Sequence, residues 1–246
     1  MPRDENHDFQ ADRPATDGGE ATFDPLESAI AFIRGNAGTT REEPFERRQR
    51  KAFLQLEALL EWARTHAFFL KEELWDEKAV IGGSEHDVWE FRGEMWKITR
   101  ANHFGWTVLP GDNGLPEVSE ATPLEYLVRW QITNNILGDT IRLRGIHSDE
   151  RGTRVIISQP FVAGPYPTRE QAKGLMDALG FVLVPSFSVG AQDESSFFNP
   201  ELNIALFDAA NDNFILSDDT PVPVDIIPVV VGAKLRQQLL RLIGKY

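Results

Sequence analysis

No cysteine occurs in the 246 residues. Disulfides, thiolate metal sites, a cysteine nucleophile and sulfur redox chemistry are therefore excluded, and a reducing compartment suits the chain. Cationic residues are scarce: 25 Lys and Arg against 38 Asp and Glu give a formal charge of −13. Nucleic-acid affinity draws on counterions released by clustered Lys and Arg, so no nucleic-acid partner is expected. Long apolar runs are missing, and the opening "MPRDENHDFQADRPATDGGE" has no apolar leader core. No membrane partner is expected, and the chain reads as cytoplasmic. Its five His are scattered without ligand spacing, which argues against zinc.

A hydrophobic fraction of 41% with six Trp supports a packed globule, and the length suits one large domain or two lobes. Residues 1–22 nearly lack large apolar groups, so ordering them would cost backbone entropy with little burial to offset it. They read as a disordered acidic tail. "DPLESAIAFIRG" predicts a short helix, with Asp24 as N-cap, Pro25 at its first position and Gly35 past its end. Phe53, Leu54, Leu56, Leu59, Leu60 and Trp62 recur at three-to-four spacing and predict a long amphipathic helix. Its basic start, "RRQRK", reads as a solvated face.

Two β-prone runs, Val88, Trp89, Phe91 and Met95, Trp96, Ile98, flank the turn "RGE" and predict a hairpin. Residues 105–123, rich in Gly, Pro and Asp, read as a loop. "PLEYLVRWQITNNILG" predicts a helix stopped by Gly138, and "RVIISQPFVAG" a strand ended by Pro160 and Gly164. "TREQAKGLMDALGF" predicts a helix capped by Thr168 and Gly180, and "GAKLRQQLLRLIGKY" a closing amphipathic helix. The expected class is α+β.

Chemistry concentrates in "FDAANDNFILSDDTPVPVDII", residues 207–227. Asp208 precedes Asn213 by five positions, "NFIL" and "VPV" form a short hairpin around a polar turn, and Asp225 ends the returning strand. Such a hairpin points Asn213 and Asp225 into one cleft. Phosphoryl transfer needs this set: a carboxylate to deprotonate the acceptor hydroxyl, with a carboxamide and a second carboxylate to hold Mg²⁺. Upstream, the backbone amides of Gly82-Gly83-Ser84 suit phosphates. Lys97 is flanked by apolar residues, where a cation needs an anionic partner.

This ordered set, with Val88, a following helix carrying Glu125, the "IISQPFVAG" strand and "PVD", resembles the protein-kinase-like fold. It looks most like the serine/threonine/tyrosine kinase domains of polyvalent proteins of phages and mobile elements, over roughly residues 79–228. The resemblance implies a two-lobed fold with a reduced C-lobe and extra N-terminal helices. Residues 23–75 would be the helical extension, 76–164 a β-rich N-lobe and 165–246 the reduced C-lobe. It implies ATP and Mg²⁺ as cofactors and an unidentified protein or small-molecule acceptor. Lys97 would contact the α- and β-phosphates, Asp208 would be the catalytic base, and Asn213 and Asp225 would bind Mg²⁺. Gly82, Gly83, Ser84 and Val88 would cover the nucleotide. Gln159 to Phe161 would form the hinge whose backbone pairs with adenine, and Glu125 would orient Lys97.

The chain departs from the usual kinase pattern in three places. "LFD" stands for His-Arg-Asp, "DII" for Asp-Phe-Gly, and only about twenty residues follow Asp225. A catalytically silent kinase-fold binding module is therefore the alternative function. Each site residue also has an ordinary reading: Lys97 as a strand lysine with its head in water, Gly82-Gly83 as a plain turn, Asp208 as a cap. Glu125 lies four residues before Arg129 and reads equally as its ion-pair partner, with Glu117 and Glu120 as substitutes for the Lys97 contact. Asp218-Asp219 read as the hairpin tip.

Overall fold

The computed structural model describes residues 23–37, 44–71, 85–185, 187–189 and 195–245. The acidic tail at 1–22 and the Gly82-Gly83-Ser84 turn lie outside these residues. Helix α1 (Pro25–Asn36) starts where its sequence demands: the Asp24 carboxylate accepts from the backbone N–H of Leu26 at 2.8 Å and of Glu27 at 3.3 Å. Gly35 lies inside the helix and not past it. A glycine stops a helix where the chain turns left-handed, and here the chain leaves through extended Ala37 (φ −74°, ψ 102°).

Helix α2 (Pro44–Thr65) follows, and the chain then meets the first sheet's edge through Leu70 N–H to Ile146 O at 2.8 Å and Ile146 N–H to Phe68 O at 2.9 Å. That sheet consists of β1 (His86–Phe91), β2 (Glu94–Thr99), β5 (Arg142–Asp149) and β6 (Gly152–Pro160), all antiparallel in the order β1-β2-β6-β5. Arg92 and Gly93 form the first hairpin's tip at φ 54° and 74°, the left-handed pair that a two-residue turn requires. Helix α3 (Pro123–Leu137) lies on the sheet, opened by a Thr122–Glu125 capping box and stopped by left-handed Gly138. One core joins Ile30, Ile33, Leu59 and Trp62 of α1 and α2 to Leu127 and Trp130 of α3 and to Ile146, Val155 and Ile157 of the sheet. The N-terminal helices thus share a core with the strands.

Residues 105–123 contain a hairpin, β3 (Trp106–Pro110) and β4 (Pro116–Glu120), where the sequence suggested a loop. Its Gly, Pro and Asp residues occupy the tip and flanks. What holds the strands is tertiary, because Val108 is buried in the core of a second sheet.

The second sheet is antiparallel and ordered β12-β9-β8-β7, from β7 (Val182–Leu183), β8 (Phe197–Asn199), β9 (Ile204–Phe207) and β12 (Ile227–Val230). Alternation sends Phe198, Ala205 and Phe207 to one face and Phe197 and Leu206 to the other. Helix α5 (Ala233–Leu242) packs on the first face through Leu235 and Leu239, and α4 (Arg169–Ala178) on the second through Ala172 and Met176. Between β9 and β12 the chain forms a single 3-10 turn (Asn211–Asn213) and a hairpin, β10 (Phe214–Ser217) and β11 (Thr220–Pro223). Asp218 and Asp219, at φ 47° and 61°, are its tip. The segment leaving β6 crosses this hairpin closely: a Cβ on Gly164 would sit 2.1 Å from the Leu216 carbonyl oxygen, and Leu216 N–H bonds Pro165 O at 2.8 Å. The described residues contain five α-helices and four antiparallel sheets. None of the helices is long and apolar enough to cross a membrane.

Candidate functional site

The 207–227 segment faces the first sheet across a cavity of about 700 Å³. Strand alternation sets the sheet's contribution. His86 and Val88 from β1, Met95 and Lys97 from β2, and Gln159 from β6 share the face that looks into the cavity, while Trp89, Ile98 and Ile156 pack together on the other. The register agrees, since Val88 pairs with Lys97 and Met95 with Gln159. Asp208, Asn213, Val224 and Asp225 close the opposite wall, and Phe161 and Tyr166 stand at the rim.

Lys97 is 5% exposed, so its ammonium does not reach bulk water. It donates to the Val224 carbonyl at 2.7 Å and to Asp225 Oδ1 at 3.2 Å, and lies 5.4 Å above the Trp130 ring. Asp208 sits at φ 54°, a left-handed conformation uncommon outside glycine and least costly for Asp and Asn. Asn213 donates its Nδ2–H to the Asp208 carbonyl at 2.7 Å, and Val224 N–H returns to Asn213 O at 2.8 Å. A short loop thus places a carboxylate and a carboxamide beside the bend at Val224 and Asp225 that follows β11.

Over residues 53–230 the chain matches the serine/threonine/tyrosine kinase found in polyvalent proteins. It belongs to this kinase family. No curated protein and no solved structure matches it.

In this family member the carboxylate expected to orient Lys97 lies elsewhere. Glu125 accepts from Arg48 of α2 at 2.9 and 2.7 Å and from the Thr122 backbone N–H at 2.8 Å. Both its oxygens are engaged in tying α2 to the start of α3. Glu125, Glu117 and Glu120 all lie outside the cavity lining. Nor does Glu125 pair with Arg129, whose guanidinium points the other way, to Glu85 Oε2 at 2.7 Å, Asp225 Oδ1 at 3.1 Å and the Ile226 carbonyl at 3.0 Å.

Glu85 and His86 line the cavity and Arg129 bonds two of its lining residues, and the sequence pointed to none of the three as part of the site. One signal was present: Arg129 interrupts a helical arc of Tyr126, Trp130 and Ile132, and a cation on a buried face needs partners. Pro160 has no N–H, and the Phe161 N–H already bonds Gly93 O at 3.0 Å. Gln159 Oε1 is buried without a hydrogen-bond partner among the described residues.

The electrostatics follow from this packing. Burial pushes the Asp225 carboxyl up, but the Lys97 ammonium and the Arg129 guanidinium outweigh it and hold the group well below the usual carboxylate range. Burial lowers Arg129, and the Glu85 and Asp225 carboxylates more than reverse that. His86, bonded through Nε2 to the Tyr126 hydroxyl at 2.9 Å, is pushed down to about 4 by burial, so it is neutral near pH 7.

Ligand atoms of Glu85, His86 and Asp225 come within 4.8 Å of one another. Arg129 and Lys97 already neutralise the two carboxylates, so the cluster is an ion-pair network. A different donor set suits a hard dication. The hydrogen bonds of Asp225 both go to Oδ1, which leaves Oδ2 on a side chain 40% exposed. Asn213 commits its amide nitrogen to Asp208, which leaves its oxygen. One carboxylate and one carboxamide oxygen on a shared wall fit Mg²⁺.

Proposed function

We propose that the protein is a phosphotransferase that moves the ATP γ-phosphoryl group to a hydroxyl of a protein or small molecule, with Mg²⁺. The observation that carries this reading is the single cavity lined by Lys97, Asp208, Asn213 and Asp225. Its volume of about 700 Å³ is within the range of nucleotide and cofactor sites. The first sheet and the second sheet, with the cavity against both the former and the 207–227 segment, are read as the two lobes of a kinase.

In this reading Lys97 leaves its contact with Asp225 to meet the α- and β-phosphates. Asn213 and Asp225 hold Mg²⁺, which when bound neutralises charge on the phosphates. Asp208 accepts the acceptor's hydroxyl proton as the new O–P bond forms and the bond to the β,γ-bridging oxygen breaks, releasing ADP. Adenine lies between Val88 and the β6 end. With the Phe161 N–H engaged, the Gln159 side chain reads the base in place of that donor.

Thermal-shift titration of the purified protein with ATP tests this, with and without Mg²⁺. ATP at about a hundred times its dissociation constant should stabilise the fold by about 2.7 kcal/mol, and more so with Mg²⁺. An unchanged melting temperature at millimolar nucleotide would favour the catalytically silent module.

A further inference from the structure

Arg129 is 3% exposed, deep on α3, and makes more polar contacts than any role in helix packing requires. Its three guanidinium nitrogens go to three acceptors on two segments: Nη1 to Glu85 at the mouth of β1, Nη2 to Asp225 Oδ1, and Nε to the Ile226 carbonyl just beyond. The guanidinium also lies 4.6 Å from the Trp130 ring, which fixes its plane from one side. Glu85 is held in turn, accepting the Trp106 N–H at 2.8 Å through Oε1. Lys97 shares Asp225 Oδ1 with Arg129.

We propose that Arg129 is the positioning residue for the metal-binding carboxylate, with Glu85 as its counter-ion. This rests on the nucleotide reading of the cavity. Lys97 can serve the phosphates only by loosening its hold on Asp225. Arg129 stays, since it is also anchored on the Glu85 carboxylate and the Ile226 carbonyl. It keeps Oδ1 occupied and Oδ2 turned outward when the lysine moves. The helix cation therefore orients the metal ligand, where the sequence suggested a helix carboxylate orienting the lysine. A lysine at this position could supply the charge but not three divergent donors in one plane.

The test compares Mg²⁺ affinity at saturating ATP with affinity for metal-free ATP, both by calorimetry on the full chain. Arg129→Met alone strands Glu85 as a buried charge and endangers folding. The paired substitution Glu85→Gln with Arg129→Met removes both charges together, and Arg129→Lys keeps the charge while losing the geometry. The pair should lose tenfold or more in Mg²⁺ affinity and distinctly less in affinity for metal-free ATP. Arg129→Lys should lie between, and it carries the comparison should the pair fail to fold. Parent-like Mg²⁺ affinity in these variants overturns the assignment. Equal loss of metal-free and metal-loaded binding also overturns it, because that marks a purely structural arginine. A parent protein that binds no ATP overturns the nucleotide reading itself, and that result is seen before any variant is made.

Discussion

Lys97 and Asp225, 128 positions apart in the chain, meet at 3.2 Å across the cavity. A buried ammonium and a carboxylate thereby neutralise each other, and under the proposed function this pair opens in exchange for phosphates and a dication. Lys97→Met should weaken ATP binding by roughly tenfold or more with or without Mg²⁺, whereas Asp225→Ala should remove only the Mg²⁺-dependent part. Calorimetric titration of both variants checks this, and identical Mg²⁺ dependence in the two would contradict the division of labour.

Asp208 carries the base assignment, and its left-handed backbone dictates how to test it. Asn tolerates φ near 54° about as well as Asp, so Asp208→Asn should keep the loop and nucleotide affinity while reducing phosphoryl transfer by a factor of about 10² or more. Labelled-ATP turnover and autophosphorylation report the rate. Undiminished turnover in the folded variant would show that another group takes the proton.

His86 gives the fold a pH dependence of known sign. Its pKa is about 4 in the folded protein, against about 6.5 for a free imidazole. Between those values the unfolded chain binds a proton that the folded chain refuses, so stability declines as pH falls, by roughly 3 kcal/mol across the interval. The depressed Asp225 carboxyl acts lower down: its contribution is complete above the ordinary carboxylate range and decays only below it. Urea unfolding at pH 7, 5.5 and 4.5 should show the decline, and His86→Gln should flatten it. The same slope in the variant would place the titration elsewhere.

Glu125→Gln separates a structural carboxylate from a site carboxylate. It weakens a capping box and a half-exposed bidentate pair with Arg48, so a loss of about 1 kcal/mol is expected with ATP affinity unchanged. A selective loss of ATP binding, seen by calorimetry at constant folded fraction, would return Glu125 to the site.

Ile33 is fully buried between α1 and the remainder of the core. Ile33→Ala should destabilise the whole protein by about 2–5 kcal/mol in one cooperative transition. An early, separate transition would mean that the N-terminal helices unfold on their own.

Local order was legible because it rests on neighbours in sequence. Asp24 and Pro25 mark a helix start, Gly138 a stop, Arg92-Gly93 and Asp218-Asp219 two hairpin tips, and each acts through the backbone within a few residues. Residues 105–123 escaped the reading because Val108 is committed to a strand by its burial in the core of the second sheet. Gly35 failed as a stop for the complementary reason: nothing around it forces a left-handed turn.

The cavity divides in the same way. By themselves, residue type and spacing determined that Lys97, Asp208, Asn213 and Asp225 carry groups suited to phosphate and a dication, because that chemistry is intrinsic to the side chains. Which carboxylate meets which cation was decided only by tertiary structure. Glu125 and Glu85 are chemically equivalent until the packing of α2 gives one to Arg48 and the start of β1 brings the other to Arg129. Ion pairing depends on distance and burial, and both arise only when separate segments of the chain come together.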